Sequence, residues 1–134
     1  MGYKIIKGWS DDSPMDFPMS VATGSSVTPG KVFCLSNLGE AETGTYNSNG
    51  ADAGRLPFFC IDYDTVNGNV IGLTGNFMVE LDSDLFVAGA YTPNLGVTAT
   101  DGKISVPVGS ERLVAYVIRY SSTTNKLILT WKDN

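Results

Sequence analysis

Two acidic clusters and two thiols are the residues of this chain best suited by type and spacing to do chemistry. Asp62-Tyr63-Asp64 sets carboxylates at i and i+2, positions that share one face of a strand. Carboxylates held that close push one pKa up, which suits a glycosidase pair or a hard-cation site. Glu80-Leu81-Asp82-Ser83-Asp84 repeats the spacing with acids at alternate positions. Calcium favours such oxygens, but the glycine and the bidentate glutamate of an EF-hand loop are missing. For both stretches the plainer reading is turn-forming aspartates that cap loops and solvate strand ends. Neither lies near a recognisable nucleophile or oxyanion hole.

Cys34 and Cys60 sit in Val32-Phe33-Cys34-Leu35 and Phe58-Phe59-Cys60-Ile61. Large apolar neighbours predict buried, reduced thiols acting as small hydrophobes; a disulfide between adjacent strands is the alternative. Two thiols alone make a poor metal site. The aromatic set is Trp9, Trp131, six Tyr and six Phe. Exposed Tyr or Trp can stack on sugars, whereas Phe33, Phe58, Phe77, Tyr116 and Trp131 alternate within strand-like stretches and read as core.

Composition removes whole classes of activity. The 134 residues contain no His, which excludes Ser-His-Asp and Cys-His catalysis and imidazole zinc sites. Nine Lys and Arg against 14 Asp and Glu give a net charge of −5. The cations never cluster, so a groove tracking nucleic-acid phosphates is not expected. The longest apolar run, Leu113 to Ile118, is too short for a bilayer. The first residues carry no apolar signal-peptide core, which predicts synthesis and retention in a cytoplasm. No catalytic, cofactor or metal residues are assigned, and the chain reads as a non-enzyme.

The elements that must position these residues are strands. Charged residues are only 17%, and 15 Gly and 6 Pro punctuate the chain too often for long helices. Residues 1–30 follow no sustained period and read as an extended N-terminal arm. Its anchors Tyr3, Ile5, Ile6, Trp9 and Phe17 are the candidate contacts to a neighbouring subunit, and packing on its own domain is the other reading. Residues 31–134 read as one β-barrel-like domain. Strands are expected at 31–38, 56–63, 70–73, 76–81, 85–90, 97–106, 113–120 and 126–131, with a Gly/Asn/Ser/Ala loop over 39–55. Asp101-Gly102 between β-branched residues predicts a type I′ hairpin. Together these give an all-β fold, a compact barrel or sandwich of about eight short antiparallel strands.

One stretch carries a resemblance. Asp84-Leu85-Phe86, Gly89-x-Tyr91-x-x-Asn94, Val97-Thr98, Asp101-Gly102-Lys103-Ile104 and Val114-Ala115-Tyr116-Val117 together resemble the small β-rich head decoration, or cement, proteins of tailed bacteriophages. The likeness spans residues 80–120. It implies a virion protein made in the host bacterial cytoplasm, often trimeric, that binds the major capsid protein on the capsid outer surface and holds the lattice against internal pressure. The family brings no catalytic residues. A carbohydrate-binding module or fibre-tip adhesin, using Tyr46, Tyr63 or Tyr91, is the alternative; a small hydrolase built on Asp62 and Asp64 is a third.

Overall fold

Alternation sets the architecture. Phe77, Val79 and Leu81 are buried while Met78 and Glu80 between them are half-buried; Leu127, Leu129 and Trp131 repeat the pattern. A period of two with one apolar face is what an antiparallel sheet over a core requires. The computed structural model describes residues 2–7, 18–22, 26–36, 38–43, 56–64, 66–73, 77–109 and 111–131. Eleven strands run through them: β1 (Tyr3–Lys7), β2 (Pro18–Ser20), β3 (Val32–Leu35), β4 (Ala41–Thr43), β5 (Phe58–Asp64), β6 (Asn69–Leu73), β7 (Phe77–Leu81), β8 (Gly96–Thr100), β9 (Lys103–Ser105), β10 (Ala115–Ser121) and β11 (Lys126–Trp131). They form a six-stranded sheet, β1-β7-β11-β10-β8-β9, and a five-stranded sheet, β2-β6-β5-β3-β4. Every strand pairing is antiparallel.

Two cores share one wall. Val32 and Cys34 of β3 and Phe59 of β5 face a large core with the inner residues of the six-stranded sheet. Phe33, Phe58 and Cys60, their neighbours in sequence, face a smaller core with Met19, Val27, Ala41 and Val70. Strands β3 and β5 therefore have no solvent face along these residues, which explains their near-continuous apolar sequence. In the large core Phe59 meets Tyr3 edge-on at 5.0 Å and Trp131 at 5.7 Å, while Phe77 stacks on Trp131 at 5.4 Å. In the small core Phe33 stacks on Phe58 at 5.3 Å. Gly72 of β6 lies under the Phe33 ring, where a Cβ would overlap the ring tip and come within 3.2 Å of Met19 Cε.

Turns tie the sheets together. Asp101 (φ 51°) and Gly102 (φ 84°) both take the left-handed conformation of the predicted type I′ turn. Its Gly102 carbonyl accepts the Val32 N–H at 2.8 Å, docking the β8–β9 hairpin against the first residue of β3. The last hairpin, β10–β11, closes through Asn125 (φ 54°), whose Oδ1 accepts from Tyr120 Oη at 2.7 Å.

The all-β class holds, with four differences from the sequence reading. Eleven strands are present where about eight were expected from turn spacing, and the sheets do not close into one barrel. The extra strands are short: β1, β2 and β4 have 5, 3 and 3 residues, and β2 and β4 are beneath the span over which periodicity can be read. Two of them come from the segment read as an arm, since β1 joins the six-stranded sheet and β2 the five-stranded one. The strand expected at 85–90 is instead a 3-10 turn at Ser83–Leu85 followed by a single bridge from Phe86 to Ile104. Leu85 and Phe86 are both buried as consecutive residues, and no strand with one solvent face permits that.

Replacing Gly72 by Ala should overpack the small core and cost about 1–3 kcal/mol in urea unfolding. Combining it with Phe33→Leu should recover part of that loss, a coupling that a double-mutant cycle reads directly.

Candidate functional site

The carboxylates flagged for chemistry are engaged in structure. Asp64 closes the β5–β6 turn: Oδ1 accepts the N–H groups of Val66 (2.9 Å) and Asn67 (3.3 Å), and Oδ2 accepts from Asn67 Nδ2 at 2.8 Å. The Asn67 amide, with these backbone N–H groups, holds the Asp64 carboxyl below its ordinary pKa. Asp62 is exposed and accepts its neighbour's N–H, Tyr63 N to Oδ1 at 2.8 Å. A buried acid, which a glycosidase pair needs, is not what these two exposed side chains supply.

Asp82, Ser83 and Asp84 line an open cleft of about 510 Å³ with Thr124, Asn125 and Lys126. Lys126 Nζ sits 3.3 Å from Asp82 Oδ1 and 3.7 Å from Glu80 Oε1. The Asp82 carboxylate, then Glu80, raises the Lys126 pKa, so the ammonium stays charged. A hard cation would have to displace that ammonium. Among the described residues no group of three His, Cys, Asp or Glu side chains is placed to hold a metal ion.

The thiols are buried, not joined in a disulfide, and on opposite faces of the shared wall, Cys34 toward the large core and Cys60 toward the small one. That placement forbids the disulfide alternative. Burial pushes the Cys60 thiol from an ordinary 9.0 up to about 12, and its Sγ lies 3.4 Å from the Asp62 carbonyl oxygen. A thiol held neutral is a poor nucleophile.

The residues of the resembling stretch also have structural roles. Tyr91 is buried, its ring edge-on to Phe86 at 5.4 Å and its hydroxyl donating to the Val87 carbonyl at 2.5 Å. Asn94 takes a positive φ of 74° and donates its N–H to Val117 O at 2.8 Å. A Cβ on Gly89 would crowd Val106 Cγ2 at 2.9 Å. Tyr91 is thus no sugar platform. Tyr63 is partly exposed and lines a groove of about 200 Å³ with Val21, Ser26, Val27 and Thr28; Tyr46 lies outside the described residues.

Comparison with protein-family models, curated proteins and solved structures finds no match. The chain's own geometry carries the functional reading.

Of the predicted contact residues, Tyr3 turns inward, its hydroxyl donating to Ile61 O at 2.6 Å, and Ile5 packs on the large core. Ile6 faces outward. Trp9 and Phe17 lie outside the described residues. The sequence reading missed the most exposed aliphatic side chains, Leu38 (85%), Val66 (88%) and Val108 (94%). Each stands on a loop whose backbone is pinned by one polar side chain. Ser36 Oγ accepts from Leu38 N and Glu40 N, both at 3.2 Å. Asp64 does the same for Val66 as described above. Glu111 accepts from Val108 N (3.1 Å) and Gly109 N (2.7 Å), and backbone N–H groups hold its carboxyl below its ordinary pKa. The signal was available: an apolar residue hemmed by turn formers, as in Asn37-Leu38-Gly39 or Pro107-Val108-Gly109, has nowhere to point but outward.

Alkali should expose the cost of the buried acids. The unfolded Cys60 thiol ionises from 9.0 and the folded one only near 12, so the folded state binds more protons in that window. Stability should be complete below pH 9 and fall as pH rises toward 12, with Tyr91, shifted from 10.0 to about 12, adding to the upper part. Urea titrations along this range should show a shallower decline in Cys60→Ala than in the parent.

Proposed function

We propose that this chain is a non-enzymatic contact protein that docks on the outer surface of a phage capsid and stabilises its lattice, as the decoration proteins it resembles do. The observation that supports this most is the set of pinned, exposed aliphatic tips. An apolar side chain held in water on an ordered turn loses little entropy on binding and gains burial. The tips are also spread. Strands β3 and β5 pair antiparallel, so the turn after β3, carrying Leu38, and the turn after β5, carrying Val66, lie at opposite ends of the five-stranded sheet. No small ligand reaches both. A protein set among several neighbours does, and modest contacts at many points add up through avidity. The partner on this reading is the major capsid protein, with a homotrimer as the docking unit. Virion placement follows from that partner.

The carbohydrate-binding reading keeps one observation in its favour, the Tyr63 groove with hydroxyls of Ser26 and Thr28 at its border. The groove takes no more than one sugar ring, well below the ~300–1,000 Å³ of drug-sized sites.

Co-sedimentation with virus-like shells assembled from the capsid protein tests the proposal. Leu38→Ser, Val66→Ser and Val108→Ser should each weaken coating by about tenfold, a loss near 1.4 kcal/mol. Surface changes of this kind should leave unfolding within about 0.5 kcal/mol of the parent. A triple variant that coats shells with undiminished affinity would overturn the reading.

A further inference from the structure

The edges of the two sheets are managed in unequal ways. An edge strand presents a row of unpaired N–H and C=O groups, a template for another strand. The two edges of the five-stranded sheet meet each other: Val21, just past β2, bridges Ala41 of β4, and Ala22 N–H donates to Ala41 O at 2.8 Å. On the six-stranded sheet, the β9 edge is covered by the chain that follows the 3-10 turn. There Phe86 bridges Ile104, and Val87 N–H donates to Ile104 O at 2.8 Å. The opposite edge is β1, and among the described residues no strand pairs with its outer side.

The ladder shows which groups that edge presents. Asp82 N–H donates to Gly2 O at 2.9 Å, which makes Gly2 and Asp82 a hydrogen-bonded pair. Such pairs alternate along an antiparallel ladder. Tyr3 lies opposite Leu81 and Lys4 opposite Glu80, so Lys4, like Gly2, turns its backbone groups toward β7. The N–H and C=O groups of Tyr3 and Ile5 therefore face outward. Their side chains hold the strand down, Tyr3 against Phe59 and Ile61 O, Ile5 against the large core. A backbone anchored this way is ordered before a partner arrives, which lowers the entropic cost of adding a strand.

We propose that the β1 edge accepts an extended acidic segment of a partner protein as an added strand. The charge of β1 selects the occupant. Tyr3-Lys4-Ile5-Ile6-Lys7 holds two lysines and no acid. Lys4 is exposed, and Glu80 across from it is engaged by Lys126 at 3.7 Å. A second copy of β1, joined through the outward groups of Tyr3 and Ile5, would set Lys4 directly against Lys4, and like charges in that position are unfavourable. Asp or Glu at the same position reverses the sign. Ile6, 44% exposed where the β1–β7 register shifts, offers the incoming strand an apolar contact. Lysine on this edge thus discourages self-pairing and favours an acidic strand. The inference concerns how one edge is filled and is tested without capsids, so its failure and that of the lattice reading are separable.

The experiment is amide hydrogen exchange on the full chain, followed by NMR, with a capped synthetic peptide of alternating valine and glutamate and a matched valine–lysine peptide. The valine–glutamate peptide should slow exchange at Tyr3 and Ile5 about tenfold at ten times its Kd, with Lys4, whose N–H already bonds β7, unchanged. Lys4→Glu should transfer the preference to the valine–lysine peptide, and this variant leaves the core untouched. The proposal is overturned if neither peptide protects Tyr3 and Ile5, if both protect them equally, or if these amides are already protected in the free chain.

Discussion

Residues 32–34 of β3 and 58–60 of β5 are buried on both faces, and the rest of the molecule is arranged to make that possible. A strand pair with no solvent side must be apolar at every position and must have something to pack against on each face. The six-stranded sheet supplies one face, through Phe77, Val79, Leu129 and Trp131. The curl of the five-stranded sheet supplies the other, through Met19, Val27 and Val70. Within the small core Gly72 lies beneath the Phe33 ring, where a side chain would collide with it. The same demand draws the N-terminal strand inward, since Tyr3 covers Phe59 from the edge of the six-stranded sheet.

With the interior so committed, the polar side chains serve the surface. Asp64, Ser36 and Glu111 each hold a turn by accepting backbone N–H groups, and the aliphatic side chains beside them remain outside. Asp82 and Glu80 flank Lys126 across β7 and β11. Acids used in this way fix shape. A molecule whose carboxylates set turn geometry and whose exposed aliphatics sit on those turns is suited to contact. That is the physical ground for the proposal that it works by contact.

The sequence was legible where one rule governed a whole segment. The Asp101-Gly102 hairpin, the alternating β7 and β11, and the doubly buried start of β5 were each readable from residue type and period. The burial of both thiols was readable from their neighbours. Legibility ended where pairing was decided at long range. Nothing local in Pro18-Met19-Ser20 or Ala41-Glu42-Thr43 marks a strand; β2 and β4 exist because β6 and β3 present them with an edge. Tyr3, Ile5 and Trp9 in a proline-bearing segment suggested an arm lying across either its own domain or a neighbour, and Tyr3 and Ile5 serve the chain's own core. The exposed tips were overlooked because a lone Leu or Val in a turn breaks no pattern.

The central claim is that the shared wall makes the two cores one cooperative unit. Native-state hydrogen exchange under increasing denaturant measures this directly. The amides of Phe33, Phe59 and Cys60 in the wall, and of Val79 and Leu129 across the large core, should exchange only through global unfolding, with one common free energy equal to that from urea titration. If the five-stranded sheet instead exchanges through a cheaper opening while Val79 and Leu129 stay protected, the cores are separable and the account is contradicted.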